Sequence, residues 1–147
     1  MAAEFIYCHK VQYYETDQMG IVHHSNYIRW MEEARCAWLY ENGFGLETFE
    51  KVGVVSPVVS LSCRYIKPAV FPEEVRVAVK LSLATGVRMK LSYKMTSGGN
   101  EVFEGESEHC FTRREGGIVN LKRAFPEFHG ALLSNLDRDD EKSGGAE

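Results

Sequence analysis

Several things are missing from this sequence, and each absence narrows what the chain can be. Its 147 residues hold four widely spaced cysteines, Cys8, Cys36, Cys63 and Cys110, and no C-x-x-C pair. Neither a thioredoxin-like motif nor a zinc site of ordinary Cys/His spacing is therefore expected. Met1 to Tyr7 has no basic start and no long apolar run, which predicts no secretory leader and four free thiols in a reducing cytoplasm. No window approaches the roughly eighteen uninterrupted apolar residues of a membrane span, so none is expected. Positive charge is not in excess either. Seventeen Lys and Arg against 21 Asp and Glu give a net charge of -4, which argues against a general nucleic-acid binder. A phosphorylated small ligand is still allowed, because a few local arginines outweigh a weak global field. G-x-S-x-G is absent, and with it any local sign of a serine nucleophile at Ser60 or Ser62.

What is present suffices for one domain with a real core: 44% of the residues are hydrophobic and 26% charged, the balance of a soluble globular protein. We expect residues 1–133 to form that domain and 134–147, polar and acidic, to be a frayed tail. Glu4 to Tyr13 reads as a first strand, with Phe5, Tyr7, His9 and Val11 on one parity. A helix follows and should stop near Asn42-Gly43, where glycine can take the left-handed conformation. Leu46 to Val52 suggests a short helix. Val54 to Ile66 reads as one long strand with an irregular start, since Pro57 cannot donate to an interior ladder. Val75, Val77, Val79 and Leu81 alternate with polar or small residues, as do Val87, Met89, Leu91, Tyr93 and Met95. Such period-two runs mean strands with one buried face. Ser97-Gly98-Gly99-Asn100 is a hairpin turn by composition. Val102 to Arg113 and Ile118 to Leu121 are expected as further strands, and Phe125 to Leu133 as a closing helix with Pro126 in its first turn. One long helix with about five or six antiparallel strands predicts an α+β fold, the helix packed across a curved sheet.

The chain is organised around Tyr13 to Arg35. The first part of this stretch is turn-prone, with Thr16, Asp17 and Gly20 close together. The second part sets Tyr27, Trp30, Met31, Ala34 and Trp38 on one helical face. Ser25 or Asn26 is expected as N-cap, because a short side-chain oxygen can accept from the free amides of the first turn. A carboxylate and two histidines, Asp17, His23 and His24, thus arrive at a helix front that carries unpaired N–H groups and partial positive charge. Negative charge building on oxygen would be stabilised there.

Tyr14-x-x-Asp17-x-x-Gly20-x-Val22-x-His24-x-Asn26-Tyr27, followed by Trp30 and Glu33-Ala34-Arg35, resembles the signature of hotdog-fold acyl-CoA thioesterases. The nearest branch is the 4-hydroxybenzoyl-CoA thioesterase type, which includes short-chain acyl-CoA thioesterases of the bacterial Tol-Pal gene neighbourhood. Arg64-Tyr65-Ile66-Lys67-Pro68-Ala69 continues the likeness, which spans roughly Tyr7 to Arg113. The resemblance implies an antiparallel sheet around a long central helix, and homodimers joined sheet edge to sheet edge that often pair into tetramers. It also implies active sites at the dimer interface, acyl-CoA as substrate and no cofactor. Rival readings are hydrolysis of acyl groups on acyl carrier protein, and a non-catalytic module that binds an acyl thioester.

Asp17 matches the family's catalytic carboxylate, and an ionised aspartate can act as nucleophile or as the base that delivers water. Its bland alternative is an Asx turn between strand and helix. His24 lies where the family aims a backbone N–H at the thioester carbonyl, so the amide matters more than the ring; the resemblance implies that Gly20, Val22 and His23, with Asn26 and Tyr27, help to bind the substrate. An imidazole base at His23 or His24 stays open, whereas a metal pair is disfavoured because adjacent side chains diverge. Asn26 either caps the helix or orders the loop holding Asp17, and Tyr27 packs. Glu32 falls where the hydroxybenzoyl enzyme meets its substrate's phenol, but Glu32 with Arg35, and Arg29 with Glu33, also have the spacing of ordinary helical ion pairs. Arg88 and Lys90, with Arg64 and Lys67, are candidates for CoA phosphates or else a solvated strand face. Glu104, Glu106 and Glu108 share one parity and read as an acidic outer face.

Overall fold

A computed structural model describes residues 4–136; most of the expected tail lies outside the described residues. The alternating segments form the sheet's interior. β4 (Glu74–Ala84) and β5 (Arg88–Ser97) pair antiparallel with Val77 opposite Met95, Val79 opposite Tyr93 and Leu81 opposite Leu91, all buried. Apolar side chains at every second position leave both strands one face to hide, and this register turns the two faces the same way. The glycine turn leads into β6 (Asn100–Cys110). β1 (Phe5–Lys10) flanks β4, and β3 (Val58–Tyr65) flanks β6, giving the antiparallel order β1-β4-β5-β6-β3. All eight residues of β3 are exposed. The expected single strand Val54 to Ile66 is divided at Pro57, and Val102 to Arg113 is likewise divided: β2 (Val54–Val55) pairs not with the main sheet but with β7 (Thr112–Arg113), because proline has no N–H to carry the ladder across.

α1 (His24–Glu41) lies over the sheet with Tyr27, Trp30, Met31, Ala34, Trp38 and Leu39 buried, each larger side chain contributing roughly 2–3 kcal/mol of apolar burial. It stops as expected, Gly43 taking φ +83°. At Gly105 on β6 an added Cβ would stand 3.1 Å from Met31 Sδ, so the glycine lets the helix seat closely. α2 (Leu46–Lys51) follows, and α4 (Pro126–Ser134) closes the described chain.

Three further local expectations are corrected. The helix is capped by His23 rather than Ser25 or Asn26: His23 Nδ1 accepts from the Ser25 amide at 3.2 Å. An imidazole nitrogen does the work of the short oxygen because Asn26 is needed elsewhere. Ile118 to Leu121 is not a strand. Ile118 makes one isolated bridge to Thr112, and Leu121 starts α3 (Leu121–Ala124), capped by Asn120 Oδ1. Finally, β1 ends at Lys10, and a 3-10 turn covers Tyr13–Glu15.

Candidate active site

The loop between the 3-10 turn and α1 is closed by local geometry. Thr16 bridges Val22, the Asp17 amide donates to Ile21 O at 2.9 Å, and the Gly20 amide donates to Asp17 O at 2.9 Å. Gly20 has φ +80°, a conformation glycine takes without a Cβ clash. The loop is then tied down on both sides. Val22 N donates to Ala69 O at 2.9 Å and His23 N to Glu15 O at 2.8 Å.

Asp17 does form an Asx turn: Met19 N donates to Oδ1 at 2.8 Å. The turn and a catalytic role do not compete, because the bond holds one oxygen and orients the other. Oδ2 accepts no hydrogen bond from the described residues. Asp17 lines an open cleft of about 1030 Å³ with His23, Asn26, Arg29, Glu32 and Glu33 along the helix and Tyr7, His9 and Tyr14 opposite.

His24 is the first residue of α1, and its amide finds no acceptor among the described residues. Its carbonyl accepts from Tyr65 Oη at 2.9 Å, and its exposed ring packs on His23 with centroids 4.3 Å apart, outside the cleft lining. Asn26 is buried and orders the loop: Nδ2 donates to Glu15 O at 2.7 Å. Tyr27 is buried too, stacked on Phe103 at 5.1 Å, its hydroxyl accepting from Ala69 N at 3.2 Å. Burial pushes its phenol above the usual range. Gly20, Val22 and Tyr27, expected to bind substrate, are not among the residues that line the cleft.

The helical ion pairs suggested by spacing do not form. Arg29 donates to Asn26 Oδ1 at 3.1 Å, Glu33 meets His9 Nδ1 at 3.3 Å, and Glu32 faces the cleft. Arg64, Arg88 and Lys90 stand away from this cleft, on the sheet. Each meets a glutamate of β6: Arg64 with Glu104 at 3.0 Å, Arg88 with Glu108 at 2.6 Å, Lys90 with Glu106 at 3.5 Å. The acidic parity of β6 is thus a row of partners.

Glu15 is the buried carboxylate of the cleft that spacing arguments missed. It is 5% exposed, yet its carboxylate accepts from His9 Nε2 and the Gln12 amide at 2.8 Å and from Trp30 Nε1 at 2.9 Å. Burial pushes its pKa up, but the bonds from His9, Gln12 and Trp30 outweigh that and hold it below the usual carboxylate range. Glu33, with fewer donors, is pushed up by burial, against His9 and with the repulsion of Glu15 and Glu32. Burial likewise raises Tyr7, helped by Glu33 and Glu15. The available sign was His9, a polar side chain on the apolar parity of β1. Among the described residues no group of three or more His, Cys, Asp or Glu side chains is arranged to hold a metal ion.

A five-stranded antiparallel sheet across one long helix is a hotdog fold. The chain belongs to the Thioesterase-like superfamily, whose model matches residues 11–136. It is 36% identical over 124 residues to the Bacillus subtilis protein named "Putative acyl-CoA thioesterase YneP", covering 83% of this chain and 90% of that one. It is 27% identical over 105 residues to a 1,4-dihydroxy-2-naphthoyl-CoA hydrolase of Thermosynechococcus vestitus, covering 70% and 72%. The crystal structure of the DHNA-CoA thioesterase of Staphylococcus aureus superposes with a TM-score of 0.85 at 30% identity, covering 89% of each chain. No described helix is long and apolar enough to cross a membrane.

Proposed function

We propose that this protein hydrolyses acyl-CoA thioesters to a carboxylic acid and free CoA, with Asp17 as the catalytic residue. The observation that carries the reading is the asymmetry of the Asp17 carboxylate: Oδ1 is held by Met19 N, and Oδ2 is left unpartnered at the cleft. Oδ2 attacks the thioester carbon or takes a proton from the water that does. The carbonyl oxygen gains negative charge as the tetrahedral centre forms, and the unpaired His24 amide with the front of α1 stabilises it. Collapse expels CoA as a thiolate, whose parent thiol has a pKa around 8.5, so little acid assistance is needed. In the nucleophilic route, water then cleaves the mixed anhydride and restores Asp17.

A cytoplasmic place of action is a part of this proposal that rests on the four free cysteines, and membership of the 4-hydroxybenzoyl-CoA and Tol-Pal branch is a part that rests on the sequence signature. So does a homo-oligomer, which a second observation supports. β3 is an edge strand whose Val58, Val59, Leu61 and Tyr65 are all exposed, and a bare apolar edge is a template for pairing with another strand. Edge-to-edge pairing there would bring a second copy beside Tyr65 and the helix front.

The test is release of free thiol from a panel of acyl-CoAs and an acyl carrier protein thioester, comparing wild type with Asp17→Asn. We expect kcat to fall at least about 100-fold with the fold intact, as for loss of a principal catalytic group. Near-full turnover by Asp17→Asn would remove Asp17 from the mechanism, and no hydrolysis of any thioester by wild type would leave a binding module. Single turnover in labelled water, with Asp17 then checked for the isotope, separates the two routes.

A further inference from the structure

His23 closes the front of α1 in a way that depends on the charge of its ring. Its Nδ1 stands 3.2 Å from the Ser25 amide and 2.8 Å from Ser25 Oγ. A backbone N–H only donates, so Nδ1 offers it a lone pair and the neutral ring carries its proton on Nε2. The usual caps, Asn, Asp, Ser and Thr, present oxygens that accept across the physiological pH range. An imidazole accepts only while uncharged. Once Nδ1 takes a proton, the Ser25 hydroxyl can turn and accept from it, but the Ser25 amide has lost its acceptor. The imidazolium then stands at the positive end of the helix dipole, where a cation is disfavoured. His23 is exposed, so solvent protons reach it directly.

Uncapping falls where the oxyanion is held. The Ser25 amide is next along the chain from the His24 amide, the donor left unpaired at the helix front. The backbone of His23 joins loop to helix, its amide donating to Glu15 O at 2.8 Å and its carbonyl accepting from Asn26 N at 3.0 Å. Charged and titratable groups surround the ring on each side. On the helix, His24 packs its ring at 4.3 Å, and a charge on each ring repels the other. Arg29 and Glu32 line the same cleft with opposite signs. From the loop, Asp17 lines it too and draws an imidazolium towards itself, away from the cap. The Glu15 carboxylate is occupied by His9, Gln12 and Trp30. From β3, Tyr65 reaches the His24 carbonyl, its phenol raised by burial and by Cys63, and stays neutral.

We infer that His23 is the positioning residue of the oxyanion site and an acid-sensitive latch on it. Its neutral ring holds the Ser25 amide, and a proton at Nδ1 releases that amide and loosens the turn that aims the His24 amide. The effect on rate rests on the acyl-CoA reading; the state of the cap does not.

The experiment compares wild type with His23→Ala and His23→Asn from pH 8 to pH 5.5. It measures thiol release from whichever acyl-CoA of the panel turns over fastest, and the backbone amide resonance of Ser25. At pH 8, His23→Ala should lower kcat about tenfold with KM within about twofold, less than the roughly 100-fold loss of an oxyanion donor removed outright. His23→Asn caps without titrating and should recover kcat to within about threefold of wild type. Between pH 8 and pH 5.5, kcat of wild type should fall about tenfold further than that of His23→Asn, because histidine ordinarily gains its proton over this range. The Ser25 amide should shift with pH in wild type and hold still in His23→Asn. Full kcat in His23→Ala, no recovery in His23→Asn, or an equal acid fall in wild type and His23→Asn overturns the inference. A Ser25 amide that ignores pH in wild type overturns it equally. A wild type that hydrolyses no thioester defeats the acyl-CoA reading instead, and the Ser25 amide alone then decides the latch. Should His23→Ala not fold, wild type and His23→Asn carry the comparison without it.

Discussion

His9 and His109 are both largely withdrawn from water, and their surroundings differ in one respect. His9, on β1 at the cleft, stands between two carboxylates, Glu15 at 2.8 Å and Glu33 at 3.3 Å. His109, on β6 beneath α1, is fully buried with a serine hydroxyl at 2.8 Å, a carbonyl at 3.4 Å and a nearby arginine. The first set of partners concentrates charge beside the loop that carries Asp17; the second expels it from the core. Burial alone does not decide whether a polar side chain becomes part of a charged network, since the partners decide it.

The sharpest way to break that contrast is to remove the carboxylate at its centre. Glu15→Ala leaves Trp30 Nε1, the Gln12 amide and His9 without their acceptor in a buried place, and should cost about 3–5 kcal/mol. Urea denaturation measures the loss, and thiol release should show kcat falling with KM little changed as the Asp17 loop loosens. A stability loss below about 1 kcal/mol would show that the network is ornamental to the fold.

His109 gives an intermediate effect with a definite sign. Its folded pKa, about 4, lies below the ordinary 6.5, so between those values the unfolded chain binds more protons than the folded one. Its contribution is full above about pH 6.5 and is lost as pH falls towards 4, with a slope of up to about 1.4 kcal/mol per pH unit. Urea midpoints from pH 7 to pH 4.5 should fall less steeply in His109→Gln than in wild type; equal slopes would place the ring's proton elsewhere. The smallest effect belongs to Glu33. It is half-exposed, and burial already disfavours its charge, so Glu33→Gln should change stability by less than about 0.5 kcal/mol.

The same contrast explains how far sequence reading reached. The face of α1 and the inner faces of β4 and β5 are legible because they depend only on spacing along one segment, and Asp17 is legible through the signature around it. The Asx turn and the role of Asn26 are local and were among the alternatives at hand. Glu15 was not legible, because its donors come from His9, six residues back, and from Trp30, fifteen residues on, and only the fold brings them together. Ile118 to Leu121 misled because a short β-branched run looks alike whether or not a strand stands ready to receive it. The pairing of Arg88 and Lys90 with Glu108 and Glu106 depends on the β5–β6 register, which a hairpin turn sets and composition does not reveal. Arg35 misled in the opposite direction: helix spacing offered it Glu32, and the structure withheld that partner.

β3 carries a consequence for the chain as it is made. Its ladder partner is β6, with all of β4 and β5 synthesised in between, so at ordinary translation rates Val58–Tyr65 waits several seconds for its first neighbour. When β6 arrives, only one side of β3 is satisfied. A nascent copy thus offers an apolar edge both before and after it folds, and on the edge-pairing proposed above its protection is prompt meeting with a sibling. On that proposal, scarcity of the protein, and not heat or acid, is the condition under which this segment is most exposed to the wrong company.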